Sequence, residues 1–187
     1  MDNDLFWKLL KPVHPQAANF CRKLTGNADD GDDLYQNAVL TAMRKIHHLR
    51  DINAFRPWLY RIIVNTFKNR NRSFWWKHRV SLSPHLFARA ASIDPESQYT
   101  AERLLAQALT VLSPKDRAMV VLHELEGWPI AEIAALFDSP EGTIKSRIFR
   151  SKDKLRDYLE HRLPEETVHR LQSEAQYALP GHPKSDS

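Results

Sequence analysis

An all-α fold is expected for this chain of 187 residues, arranged as two small helical domains joined by a flexible linker. The second is expected to be a helix-turn-helix domain of four helices, winged-helix-like in outline. Three observations predict this. Apolar residues recur at helical spacing over most of the sequence, and strand-like alternation is scarce. Only 5 glycines are present. From about Ser81 to Gln98 the periodicity weakens into SLSPHLFARAASIDPESQ, whose prolines and serines mark a connection between folded units. The expected boundaries are 1–80, a linker over 81–98, 99–160, and a partly disordered extension over 161–187.

The first unit reads as three or four helices from about Leu5 to Arg72, with breaks at Lys11–Pro15, Thr25–Gly31 and Arg50–Asn53. A helix from Asp32 to about Leu49 carries Leu34, Tyr35, Ala38, Val39, Ala42 and Ile46 as its apolar positions. Asp29, Asp30, Asp32 and Asp33 at its start complement the helix dipole. Four carboxylates could also hold a divalent cation, but no second cluster of ligands accompanies them, so neither metal nor cofactor is expected. His47 and His48 read as a polar helix end.

From Ala54 the sequence FRPWLYRIIVNTFKNRNRSFWWKHR joins an apolar helix to a basic, aromatic-rich exit loop. Trp58, Leu59, Ile62, Ile63 and Phe67 suit a core. Asn65, Lys68, Asn69, Arg70, Arg72, Phe74, Trp75 and Trp76 instead place amide donors, cations and stacking faces together. Single-stranded nucleic acid takes that mixture, since unstacked bases gain roughly 1–3 kcal/mol each on aromatic faces while cations neutralise phosphates. The alternative is that Phe74, Trp75 and Trp76 anchor the loop to the core. Charge distribution favours the first reading. The net charge is only +4, yet no acidic residue falls between Asp51 and Asp94, where Arg56, Arg61, Lys68, Arg70, Arg72, Lys77, Arg79 and Arg89 lie.

In the second unit, periodicity resumes over Tyr99–Leu112, and Ser113-Pro114 opens a helix running to about Glu126, with Asp116 placed for a capping box. Ile130, Ile133, Ala134 and Phe137 form the apolar stripe of a short helix begun by Pro129. Asp138 and Ser139 make a tight turn, with Ser139 as N-cap and Pro140 as the first residue of the next helix. In that helix Ile144, Ile148 and Leu155 face inward. Lys145, Phe149, Lys152 and Arg156 line the opposite face, flanked by Arg147 and Arg150. A large aromatic on a cationic strip suits DNA base edges, where thymine methyls take apolar contact and guanine takes Arg or Lys. The competing expectation folds Phe149 back onto the core. Beyond it, Val168, Leu171, Ala175 and Leu179 suggest a short amphipathic helix.

One cysteine, Cys21, excludes an internal disulfide and points to a reducing cytoplasm. No apolar run reaches the length of a membrane span, and the start of the chain lacks the basic region of a signal peptide, so no membrane insertion is expected. A helix-turn-helix regulator with a sensor domain and a nucleic-acid hydrolase using the acidic cluster are the rival classes. The exit segment at 54–79 has no use in the first, and the second lacks a further ligand cluster.

The blocks DGDDLYQNAVLTAMRKI, FRPWLYRIIVNTFKN and LSPKDRAMVVLHELEGWPIAEIAALFDSPEGTIKSRIFRSKDKL, in this order, resemble the extracytoplasmic-function (ECF) group of bacterial sigma factors over about residues 5–160. The resemblance implies a promoter-specificity subunit, not an enzyme, that binds core RNA polymerase and promoter DNA in the cytoplasm. It also implies an anti-sigma factor as partner. Asp33, Leu34, Gln36, Asn37 and Leu40 match the polymerase-binding helix, with Asn37 replacing the usual glutamate. Asn65, Lys68, Asn69 and the segment through Trp76 match the part that takes an extruded base of the −10 element. Lys145, Ser146, Phe149 and Arg150 match readers of the −35 duplex, and Arg147 and Lys152 match phosphate contacts. Pro129 stands where the family has a serine cap, and Asp138 where it often has glycine.

Overall fold

The computed structural model describes residues 2–78 and 101–162, and the side chains within 4–70 and 103–162. The linker over 81–98 and the amphipathic segment after Pro164 lie outside the described residues.

Helix α1 spans Asp2–Thr25 and runs through Pro12 and Pro15, where a break was expected. Each proline removes one N–H and crowds one carbonyl of the preceding turn. The helix persists because Phe6, Leu10, Val13, Ala17, Phe20, Cys21 and Leu24 bury one continuous stripe. Gly26 turns the chain at φ +83°, a conformation that favours glycine. Helix α2 spans Ala28–Lys45, starting earlier than Asp32 because Asn27 caps it, accepting the Asp30 N–H at 2.8 Å. At Gly31 the two helices approach so closely that a Cβ would lie 2.5 Å from the Arg22 Cα. Two short 3₁₀ turns, Ile46–His48 and Ile52–Ala54, lead into α3, Phe55–His78. The stretch from Arg72 to Trp76 is therefore helical in backbone, a continuation of α3 where the sequence suggested an exit loop. Phe55, Leu59, Tyr60, Ile63, Val64 and Phe67 meet the buried stripes of α1 and α2.

The second unit comprises α4 (Ala101–Leu109), α5 (Pro114–Val120), α6 (Ile130–Phe137) and α7 (Glu141–Glu160). No strand occurs among the described residues. Ser113 caps α5 as expected: its hydroxyl accepts the Asp116 N–H at 3.2 Å and donates to the Asp116 carboxylate at 2.5 Å. Beyond Val120 the helix widens into a π-turn, Val121–Leu125. Leu112, Ala118, Met119, Leu122, Ile133, Leu136, Ile144 and Ile148 fill the core.

The two units also pack on each other. Their buried residues form one contiguous apolar cluster. Trp128, only 2 % exposed, sits with its ring 4.8 Å from that of Tyr60 and 4.3 Å from the Arg56 guanidinium. Around it Lys23 pairs with Glu126 at 2.8 Å, Arg117 donates to the Leu24 carbonyl at 3.0 Å, and Arg61 donates to the Ala135 carbonyl at 2.7 Å.

Candidate nucleic-acid interface

The tight turn between α6 and α7 depends on Asp138, which adopts φ 50°, ψ 56°. A short polar side chain tolerates this left-handed conformation at modest cost, so Asp serves where the family often has glycine. The capping differs from expectation. Ser139 donates its hydroxyl to the Phe137 carbonyl at 3.1 Å and does not cap α7. Pro140 is the N-cap residue, extended at ψ 145°, and its carbonyl accepts from Thr143 at 2.9 Å and Ile144 at 3.1 Å. Pro129 likewise precedes α6, and its carbonyl accepts the Ile133 N–H at 3.1 Å. A proline needs no donor at either position, so each helix starts one residue later than its proline.

Helix α7 buries Ile144, Ile148 and Ser151, which turns Phe149 outward to 65 % exposure. That outcome excludes the fold-back of Phe149 onto the core. Lys145, Ser146 and Arg150 share the exposed surface. Lys145 is 4.0 Å from Glu141, and Arg150 donates to the Ser146 carbonyl at 3.1 Å. Two other cations are engaged elsewhere. Arg147 reaches Asp116 on α5 through Nε at 2.8 Å and a terminal nitrogen at 2.7 Å, with side-chain exposures of 29 % and 20 %. Lys152 pairs with Glu124 at 3.0 Å. Arg147 thus ties α7 to α5 at the position that the motif matches to a phosphate contact.

On α3, Asn65, Lys68, Asn69 and Arg70 are exposed within two turns. Arg70 is tied to Asp30, reaching both its carboxylate and its carbonyl. Arg72, Phe74, Trp75 and Trp76 lie on the last turns of α3, and their side chains are outside the described residues.

On α2, Asp33, Gln36, Asn37 and Leu40 are exposed, whereas Leu34 is 0 % exposed. Leu34 shares the inward stripe with Ala38 and Ala42 and is part of the core. The Asn37 amide donates to the Asp33 carbonyl at 2.8 Å. Gln36 and Leu40 line a groove of about 660 Å³ with Trp7, Leu10, Lys11, His14, Tyr35 and Val39. Trp7, 53 % exposed, was not singled out from the sequence, because a helix broken at Pro12 would not have aligned it with α2. His14 bonds the Tyr35 hydroxyl at 2.7 Å across that groove.

The acidic start of α2 is used in pairing. Asp30 holds Arg70, and Asp32 receives two bonds from Arg22 at 2.8 and 3.1 Å, which keep its carboxyl below the usual range. No group of three metal-ligating side chains forms among the described residues.

Comparison with known proteins decides what carries these two surfaces. The family described as Sigma-70 region 2 matches residues 9–77, and Sigma-70, region 4 matches 102–155. The RNA polymerase sigma-E factor of Streptomyces avermitilis is 33 % identical over 143 residues, 75 % of this chain and 77 % of the relative. This chain belongs to the ECF sigma factors. The sigma factor SigE of Mycolicibacterium smegmatis is 36 % identical over 142 residues, 73 % of this sigma factor but 54 % of SigE, so the alignment spans about half of that relative. Among solved structures, the sigma factor RpoE of Bartonella quintana in complex with the anti-sigma factor NepR superposes with a TM-score of 0.63. It has 25 % identity, covering 84 % of this chain and 98 % of that one. CnrH, solved with the cytosolic domain of CnrY, gives 0.58 at 22 % identity, covering 84 % and 89 %, which speaks to the fold alone. Within this sigma factor the Sigma-70 region 2 match covers most of α1 and nearly all of α3, and the region 4 match covers α5, α6 and most of α7. None of its described helices is long and apolar enough to cross a membrane.

Proposed function

We propose that this sigma factor binds core RNA polymerase in the cytoplasm, directs it to specific promoters and assists their opening, with an anti-sigma factor as its regulator. The division of labour is by unit, with 1–80 for polymerase and the opened −10 strand and 99–160 for the −35 duplex. Asp33, Gln36, Asn37 and Leu40 form the polymerase-facing surface. Asn65, Lys68, Asn69 and Arg70, continued by Arg72, Phe74, Trp75 and Trp76, take the separated strand, where stacking offsets the few kcal/mol that unstacking a base costs. Lys145, Ser146, Phe149 and Arg150 read base edges. Arg147 supports the reading helix from behind, and Lys152 remains available to a phosphate once released from Glu124.

The observation that carries this reading is Phe149, 65 % exposed among cations on the helix after the left-handed turn. With no core role to lose, Phe149→Ala should change stability by less than about 0.5 kcal/mol. It should cost about 1–2 kcal/mol of discrimination at the −35 element, as loss of one base contact does. Run-off transcription with purified core polymerase measures this against promoters altered at single −35 positions. Unchanged promoter ranking removes Phe149 from the reading surface, and duplex binding without polymerase-dependent initiation would favour an ordinary helix-turn-helix regulator.

A further inference from the structure

We propose that Glu124 is a built-in competitor for phosphate on the duplex-reading unit. Its carboxylate holds Lys152 in the free chain, so non-cognate duplex gains little from this cation and −35 reading depends on base contact. This role rests on the −35 function proposed above.

Charge is divided unequally between the two units. Counting Lys and Arg against Asp and Glu, residues 2–78 carry thirteen bases and seven acids, whereas 101–162 carry ten of each. A unit that reads duplex DNA while neutral overall forgoes much of the phosphate attraction that drives non-specific binding. The compensation reaches the reading strip itself. Lys145, Lys152 and Arg156, the cations aligned with Phe149, each have a carboxylate beside them: Glu141 at 4.0 Å, Glu124 at 3.0 Å and Asp153 at 3.0 Å. Glu141 and Asp153 belong to α7. Of the three, Glu124 alone is brought by another element.

The fold fixes its place. Glu124 lies on the π-turn Val121–Leu125, where Val121 and Leu122 are buried and the Leu122 carbonyl accepts the Trp128 N–H at 2.9 Å. The carboxylate is thereby anchored beside Lys152, one turn past Phe149 on α7. This pair differs from Arg147 with Asp116, which is closed by two contacts between side chains less than a third exposed. Lys152 and Glu124 share one contact, with side-chain exposures of 51 % and 34 %. An ion pair so placed is weak and screened by salt. It holds the ammonium away from a loosely placed phosphate, and it yields when Phe149 and Arg150 seat the helix on its own sequence.

Neutralising the competitor in the full chain tests this. Glu124→Gln should tighten binding to a mixed-sequence DNA duplex about two- to fivefold at low salt, the span that exposed ion pairs cover. The slope of log K against log salt should steepen by up to about 0.9, the increment for one more neutralised phosphate. Fluorescence anisotropy of a labelled duplex reads both, and circular dichroism confirms that the variant keeps its helices. In the parent, Lys152→Ala should leave the slope nearly unchanged, whereas in the Glu124→Gln background it should remove the gain. Unchanged affinity and slope in Glu124→Gln overturn the proposal. So does a gain that survives Lys152→Ala, which would be general charge repulsion. A loss of about 0.9 in slope from Lys152→Ala in the parent overturns it too, and that measurement needs no folded Glu124 variant. A duplex selected from a random pool by the parental holoenzyme tests the underlying function. If the parent binds it no better than mixed sequence, the −35 assignment falls, and the slopes on mixed sequence still decide the competitor. If no form binds any duplex, both fall.

Discussion

Arg147→Ala separates two roles that one residue can have on a reading helix. The guanidinium makes two close contacts with Asp116, at 2.8 and 2.7 Å, with both side chains less than a third exposed. Exposed pairs contribute about 0.2–1 kcal/mol, and breaking a fully buried pair costs about 3–5 kcal/mol. A partly exposed pair, discounted for solvent screening, should fall near 1.5–2 kcal/mol. Asp116 also receives the Ser113 hydroxyl at the start of α5, so Asp116→Ala alone removes a cap as well as a pair. A double-mutant cycle isolates the pair, and a coupling of about 1 kcal/mol is expected. Urea unfolding followed by circular dichroism measures the stability arm. A salt series of −35 duplex binding measures the other arm, because a residue that neutralises one phosphate changes the slope of log K against log salt by about 0.9. If Arg147→Ala leaves stability unchanged, shows no coupling to Asp116 and lowers the salt slope by that amount, the positioning role is refuted and the phosphate role implied by the motif stands.

Gly31→Ala should destabilise the first unit by about 1–3 kcal/mol, because a new methyl would lie 2.5 Å from the Arg22 backbone and the α1–α2 crossing must widen. Thermal unfolding of the variant checks this, and an unchanged midpoint would show that the crossing gives way freely. Burial, and secondarily Asp32, push the Cys21 thiol up to about 12, so iodoacetamide at pH 8 should modify it only as fast as the chain unfolds. The folded thiol keeps its proton where an unfolded one, near 8.5, has lost it. By linkage, the Cys21 contribution to stability is intact below about pH 8.5 and declines as pH rises toward 12.

Much of this molecule was legible because helical periodicity encodes a one-sided burial. The stripes of α2, α3, α6 and α7 and the Ser113 capping box follow from spacing alone, whereas the outward Phe149 was one of two readings that spacing allowed. The errors have local causes. Two prolines suggested a break in α1, but a stripe of seven buried residues outweighed two missing bonds. Ser139 resembled a cap, yet the left-handed Asp138 turned its hydroxyl back to Phe137. Leu34 was placed both in a core stripe and in a binding motif, and only the packed structure shows how completely it is buried.

The sequence by itself determined the class of protein, through motif blocks in a set order, and most of the helices with their apolar and cationic faces, since a helix face depends on neighbours within about eleven residues. Only the tertiary structure decided which cations are free. Arg147 with Asp116, Lys152 with Glu124 and Arg70 with Asp30 are 31, 28 and 40 residues apart, a separation at which spacing carries no information. It decided equally that Trp128 lies on Tyr60. An apolar residue in a sequence states that it will be buried, but not against which partner.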